Sequence, residues 1–178
     1  MNALEQQTTC QVCGRAPARQ VVVRRHVGLL LMMRMFSVKP TLCREHAVDK
    51  IHPDLATSGG ILQTHRIGDM AFEYGVPMAM HFAGTPVSCM ANVHCAAATR
   101  NFLALENHSL DVPFWQDLVT GIEKPIVDKG FIKVPDKPGL GITLNDEEVK
   151  RHLKLGTGYF EPTPTWNEAQ SWDDAIFS

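Results

Sequence analysis

The sequence predicts an α/β fold built on a parallel sheet, from two observations. Apolar, strand-like runs alternate with helical stretches from Leu42 onward, an order typical of parallel strands in one sheet. Asp54, His81 and Glu106 each close an apolar run, at intervals of 27 and 25 residues. A (β/α)8 barrel uses roughly 30 residues for each strand–loop–helix–loop unit. We therefore expect the three side chains on one rim of the sheet, at the carboxyl ends of its strands.

The first strand–helix repeat begins with a strand over residues 48–53 and a loop over residues 54–60, which are rich in Ser and Gly. Residues 61–74 predict a helix with apolar side chains on one face, and Gly75 supplies its carboxyl-terminal stop. Residues 76–80 predict the next strand.

The second strand–helix repeat continues from that strand through a short loop over residues 81–86. Residues 87–99 predict a helix with apolar side chains on most sides, so we expect it to be heavily buried. Residues 101–105 predict a third strand.

The alternation stops after the third strand. Residues 126–134 predict a hairpin with its turn at residues 128–130, and residues 135–141 predict an extended turn. Asn145 is a suitable N-cap for a short helix through Leu153, with acidic residues near its amino end. The remaining tail, which contains several Pro and Gly residues, predicts irregular structure.

Charge is unevenly distributed along the 178 residues, of which 44% are hydrophobic and whose net charge is −2. Residues 1–53 carry eight Lys or Arg against three Asp or Glu, a net of +5, and residues 54–178 carry nine against sixteen, a net of −7. Such asymmetry indicates segments of different role. Residues 1–41 are basic, contain a Cys-x2-Cys pair and show no persistent period, so we leave this segment unassigned.

The composition favours a cytoplasmic protein with no membrane partner. The longest strongly apolar stretch, residues 27–33, is too short to cross a bilayer, and no small-residue cleavage site follows it. Five cysteines, several of them inside apolar runs, are not typical of a secreted disulfide framework.

Asp54 and His81 have the chemistry of a catalytic pair. An imidazole titrates near neutral pH and can take a proton from carbon, provided that a carboxylate fixes its tautomer and position. The alternative is that Asp54 shapes its loop and His81 is a satisfied, partly buried histidine. Glu106 is either a general acid, a substrate-binding carboxylate or a solvated charge at the end of a strand.

Four motifs together resemble the carboxyl-terminal domain of the enolase superfamily. They are Asp-Leu-Ala-Thr-Ser-Gly-Gly at 54–60, His-Phe-Ala-Gly-Thr-Pro at 81–86, Ala-Leu-Glu at 104–106 and Val-Pro-Asp-Lys-Pro-Gly-Leu-Gly at 134–141. Their order and spacing resemble the mandelate racemase subgroup, also described as mandelate racemase/muconate lactonizing enzyme-like, from about Leu42 to about Trp172.

The resemblance implies an α/β chain with the sixth to eighth strands of an incomplete (β/α)8 barrel in residues 42–110. Residues 111–178 would then be a carboxyl-terminal hairpin and irregular segment that packs on the barrel and on a capping domain. His81 would be the base or acid at carbon, Asp54 the residue that orients it, and Glu106 a substrate-side acid.

The activity that the resemblance implies is dehydration of an acid sugar, with Mg²⁺ as cofactor. A proton next to the carboxylate is abstracted, and a β-hydroxyl then leaves. The alternative within the subgroup is a racemase or epimerase of a 2-hydroxy acid. The small-molecule acid sugar is the expected partner, and the intact family protein is expected to be a homo-oligomer.

The sequence departs from the family by lacking the capping domain and the first five barrel strands. The resemblance places the acidic magnesium ligands on the third to fifth strands, so none is expected among these residues. We therefore expect this chain to be a fragment that is inactive alone.

A different class of function is a small zinc-binding interaction module. Cys10, Cys13, Cys43 and His46 form a Cys3His pattern. Cys43 and His46 also fit the helix that would precede the sixth strand, which weakens this alternative. The arginines of the first segment lack interleaved aromatic residues, so we do not expect a nucleic-acid partner.

Overall fold

The computed structural model describes residues 20–24 and 40–159. The chain divides into two compact units, one up to Asn145 and one from Asp146 onward. In chain order the elements are β1 (Gln20–Arg24), α1 (Pro40–Arg44), α2 (Gly60–Glu73), β2 (Met78–Met80), α3 (Pro86–Ala98), β3 (Phe102–Glu106), a 3-10 helix (Trp115–Leu118), β4 (Val119–Thr120), β5 (Phe131–Lys133), β6 (Thr143–Leu144) and α4 (Asp146–Arg151).

Four strands of the first unit form one sheet in the order β2-β3-β1-β5. β2 lies parallel to β3, and β3 lies parallel to β1, with Met80 beside Leu105 and Arg24 beside Glu106. β5 is antiparallel to β1. The parallel core of the sheet therefore places the carboxyl ends of β2 and β3 at the same edge.

Helices α2 and α3 confirm the predicted helices to within one residue at each end. Pro86 stands in the first turn of α3, where its fixed φ suits a helix start and no backbone donor is lost. α3 is buried on most sides, as expected, with these buried residues: Pro86, Cys89, Met90, Asn92, Val93, Cys95 and Ala96. Burial on most sides fits a connecting helix that packs against a parallel sheet.

The core is centred on β2, whose three residues are fully buried. Such burial on both faces is typical of a strand in a parallel sheet that is covered on both sides. β2 is the end strand of the four, and the segment of residues 51–54 lies along its outer side. Leu105 and Phe82 extend this core, and Trp115 packs edge-on against Phe82 while its indole N–H donates to the carbonyl of Gly84 at 2.7 Å. The loop after β2 is thereby held against the segment that follows β3.

The strand predicted for residues 48–53 is reduced to isolated pairings. Ile51 forms a parallel bridge with Met78, and Asp54 forms one with His81. The backbone N–H of Ile51 donates to Pro77 and its carbonyl accepts from Ala79, so the segment still runs beside β2. Its chain direction matches the prediction, but its ladder is too short to form a continuous strand.

The predicted hairpin is confirmed only at its turn. Asp128 and Phe131 exchange both backbone hydrogen bonds around Lys129 and Gly130, which have positive φ angles of 49° and 83°. The arm that follows pairs with β1 instead of with residues 126–127. The hairpin prediction is wrong for these arms because a distant strand competes for the same hydrogen bonds.

β1 is a strand that the sequence analysis left within its unassigned segment. Val21 is buried in the core, and the strand lies between β3 and β5. Three consecutive valines are its only strand signal, and residues outside this segment complete its pairing.

The second unit contains α4, which begins directly after Asn145 and ends at Arg151, two residues before the predicted end. Glu148 on this short helix pairs with Arg151 at 2.9 Å and with His152, just past the end of the helix, at 3.0 Å. Among residues 20–24 and 40–159, no helix is long and apolar enough to cross a membrane.

We expect Gly141→Ala to destabilise the first unit more than Gly75→Ala does. Both glycines have positive φ, +74° and +70°, so each alanine carries a strain of about 1–2 kcal/mol. Only at position 141 would the new Cβ overlap Pro135, with the Pro135 Cγ at 2.8 Å, and such overpacking adds about 1–3 kcal/mol. Urea unfolding followed by circular dichroism measures both, and equal losses would contradict the packing of residues 135–141.

Candidate functional site

The three residues predicted to share a rim are brought together. Asp54 and His81 form a parallel bridge, and His81 and Glu106 stand at the carboxyl ends of the paired strands β2 and β3. Because carboxyl ends of parallel strands meet at one edge, side chains from distant parts of the sequence converge there. This edge is the candidate active site.

Asp54 fixes both its loop and His81. Its Oδ2 lies 2.8 Å from His81 Nδ1, and its Oδ1 accepts the backbone N–H of Ala56 at 2.8 Å. The backbone carbonyl of Asp54 accepts from Thr57 and Ser58, which closes the turn. The two interpretations of Asp54 in the sequence are therefore compatible, because separate atoms shape the loop and orient the imidazole.

The Nδ1 atom of His81 contacts Asp54, and its Nε2 atom points towards Glu106. Since the carboxylate of Asp54 accepts a hydrogen bond, Nδ1 carries the proton, and a neutral ring then has its lone pair on Nε2. Nε2 lies 3.8 Å from Oε2 of Glu106. The His81 side chain is 23% exposed, so it can be reached by a ligand.

Glu106 is a buried carboxyl group beside three imidazoles. Its side chain is 8% exposed, with Oε2 2.9 Å from His52 Nε2 and Oε1 3.1 Å from His108 Nε2. The ring of His81 is centred 5.5 Å from that of His52 and 5.8 Å from that of His108. The alternative of a solvated charge at position 106 is therefore excluded, because His52 and His108 cover the carboxyl group.

Sequence reasoning missed His52 and His108. Each lies two residues from a predicted site residue, His52 before Asp54 and His108 after Glu106. Because side chains two apart in an extended chain share a face, this spacing was the available signal.

The donor set of this edge does not fit Mg²⁺. Ligand atoms of His81, Glu106 and His108 lie within 4.8 Å of one another, but they offer two imidazoles and a single carboxylate. Mg²⁺ takes oxygen ligands in octahedral geometry. His81 and the backbone N–H of Ala56 already engage the two oxygens of Asp54, and two imidazoles engage those of Glu106, so we assign no metal to these residues.

Of the four residues in the zinc alternative, the structure describes Cys43 and His46. Cys43 is fully buried in the core, and burial raises the pKa of its thiol, which opposes the thiolate form that a zinc ligand requires. His46 is exposed just after α1. Cys10 and Cys13 lie outside the described residues, so the four-residue site stays a prediction.

Comparison with known proteins gives a consistent set of relatives. A family model described as enolase C-terminal domain-like matches residues 18–149, a range that includes β1. The D-xylonate dehydratase of Haloferax volcanii is 42% identical over 121 residues, which are 68% of this chain and 29% of that protein. The arabinonate dehydratase of Saccharolobus solfataricus is 32% identical over 115 residues, 61% of this chain and 29% of that protein.

Solved structures show the same likeness. The mandelate racemase/muconate lactonizing enzyme-like protein of Rubrobacter xylanophilus is 35% identical, with a TM-score of 0.64 over 68% of this chain and 31% of that one. The mandelate racemase/muconate lactonizing enzyme of a Jannaschia species is 36% identical with a TM-score of 0.57. The chain spans about three tenths of the length of the relatives it matches.

We expect the thiols of Cys89 and Cys95 to resist alkylation in the native chain. Burial raises the pKa of Cys89 to about 12 and that of Cys95 to about 11, so at pH 8 both are almost entirely neutral thiols. Mass spectrometry of iodoacetamide-treated chain, with and without urea, measures the reaction at each cysteine. Equal labelling of Cys89 in both conditions would contradict the packing of α3.

Proposed function

The chain belongs to the enolase C-terminal domain-like family, and on that premise we propose that its strand-end cluster carries the proton transfers of an acid-sugar dehydratase. The observation that carries the proposal is the alignment of Asp54, His81 and Glu106, with one imidazole nitrogen held at 2.8 Å and the other directed at a buried carboxyl group. Relatives named as dehydratases of D-xylonate and arabinonate support the substrate class.

In the proposed reaction His81 is the base. Its Nε2 takes the proton from the carbon next to the substrate carboxylate, and the carboxylate of Asp54 stabilises the imidazolium that results. As its C–O bond breaks, the β-hydroxyl takes a proton from Glu106 and leaves as water, and the enol that remains tautomerises to a 2-keto-3-deoxy acid. Glu106 lies on the substrate side, 3.8 Å from the same nitrogen, where it serves as an acid.

The proposed cofactor of the complete protein is Mg²⁺, as the family resemblance implies. Its ligands are not the residues of this cluster, since imidazoles dominate the donor set. The resemblance places them on earlier barrel strands, so we propose that the 178 residues alone are a fragment without dehydratase activity.

The proposal is tested in a complete barrel. Residues 42–145 of this chain replace the matching stretch of the Haloferax volcanii D-xylonate dehydratase. We expect the chimera to dehydrate D-xylonate and His81→Asn to lower kcat by about 100-fold or more, since general-base catalysis contributes about 10²–10⁴-fold. Product is measured as the 2-keto-3-deoxy acid, which a racemase would not release.

The matched control is His65→Asn. His65 lies on α2 and pairs with Asp69 at 3.3 Å, away from the strand-end cluster, so its replacement should leave kcat unchanged. A folded chimera that forms no product, or one in which His81→Asn remains fully active, would contradict the proposal.

A further inference from the structure

We propose that His52 is a positioning residue which keeps one shared proton between its ring and the carboxyl group of Glu106. His52 lies in the segment beside β2, and its ring reaches from there to the end of β3. Its Nδ1 lies 2.9 Å from the carbonyl oxygen of Ala79, and its Nε2 lies 2.9 Å from Oε2 of Glu106.

The first contact fixes the tautomer of His52. A backbone carbonyl only accepts hydrogen bonds, so Nδ1 must carry a proton. In a neutral imidazole the remaining nitrogen, Nε2, then has a lone pair and no hydrogen.

The second contact therefore requires an additional proton. A lone pair on Nε2 cannot form a hydrogen bond with an ionised carboxylate at 2.9 Å, because both atoms would be acceptors. Either His52 is an imidazolium that donates to Glu106, or Glu106 is a carboxylic acid that donates to His52. In both arrangements the pair binds one proton between the two side chains, and its net charge is zero.

Because His52 and Glu106 are both buried, an unpaired charge on either side chain would be costly. The side chains of His52 and Glu106 are only 12% and 8% exposed, so water contributes little to the solvation of an isolated charge there. Backbone hydrogen bonds from Ile51 to Pro77 and from Ala79 to Ile51 hold the His52 backbone beside β2. The position of the His52 ring is thus fixed by its own backbone as well as by its contact with Glu106.

The other ionisable groups around this pair are few in the part of the chain that the structure describes. His108 lies 3.1 Å from Oε1 of Glu106, and His81 lies 3.8 Å from Oε2. Asp54 acts through His81, to which it is hydrogen-bonded.

The consequence for function rests on the proposed dehydratase activity. An acid sugar carries a carboxylate, and a net negative charge at Glu106 would repel it. A neutral His52–Glu106 pair lets the substrate anion approach and keeps a proton at the substrate side of the site. His52 would then favour the binding of an anionic substrate through Glu106, without itself touching the reacting atoms.

The test uses nuclear magnetic resonance on the full 178-residue chain and needs no substrate. The ¹⁵N signals of His52, assigned by their loss in His52→Gln, report the protons on Nδ1 and Nε2. The ¹³C signal of the Glu106 carboxyl group, assigned by its loss in Glu106→Gln, reports ionisation. At pH 7 we expect a protonated Nδ1, together with either a protonated Nε2 or a neutral Glu106.

A matched control sharpens the result. His65→Gln, a change on α2, should leave the signals of both residues at their wild-type positions. An unprotonated Nε2 together with an ionised Glu106, or a mixture of His52 tautomers, would overturn the proposal. Because no catalysis is measured, an inactive chimera would not affect this outcome.

Discussion

The parallel pairing of β2 with β3 is the constraint on which the rest of the site depends. It sets Met80 beside Leu105, so the next residue along each strand, His81 or Glu106, emerges at the same edge. The shorter pairing of Asp54 with His81 adds the third chain segment. A slip of this register by one residue would move His81 out of line with Glu106 and separate the two side chains.

Pairing of carboxyl groups with imidazoles stabilises the side chains that the strand pairing brings together. A buried carboxyl group is costly unless it is paired, and Glu106 is paired with His52 from the segment beside β2 and with His108, two residues further along its own chain segment. Asp54 performs the equivalent role for His81, whose outer nitrogen is thereby left with a defined tautomer. The same contact that stabilises the edge thus sets the tautomer of the imidazole that we propose as the base.

The sequence could predict the elements that depend on local pattern. The helices after residues 59 and 85 and the spacing of Asp54, His81 and Glu106 follow from periodicity and turn residues. The partner of β5 could not be predicted, because its turn is local but its pairing with β1 joins residues more than 100 positions apart. His52 was missed for a related reason: its role depends on reaching across β2 to Glu106, which no local period encodes.

The contact of Asp54 with His81 at the strand ends is measured most directly by a double-mutant cycle. Asp54→Ala, His81→Ala and the double variant are compared by urea unfolding, so that the loss of the Asp54 loop contacts cancels. We expect a coupling free energy of about 0.5 kcal/mol or more, as is usual for contacting residues. Costs that add to within about 0.3 kcal/mol would contradict it.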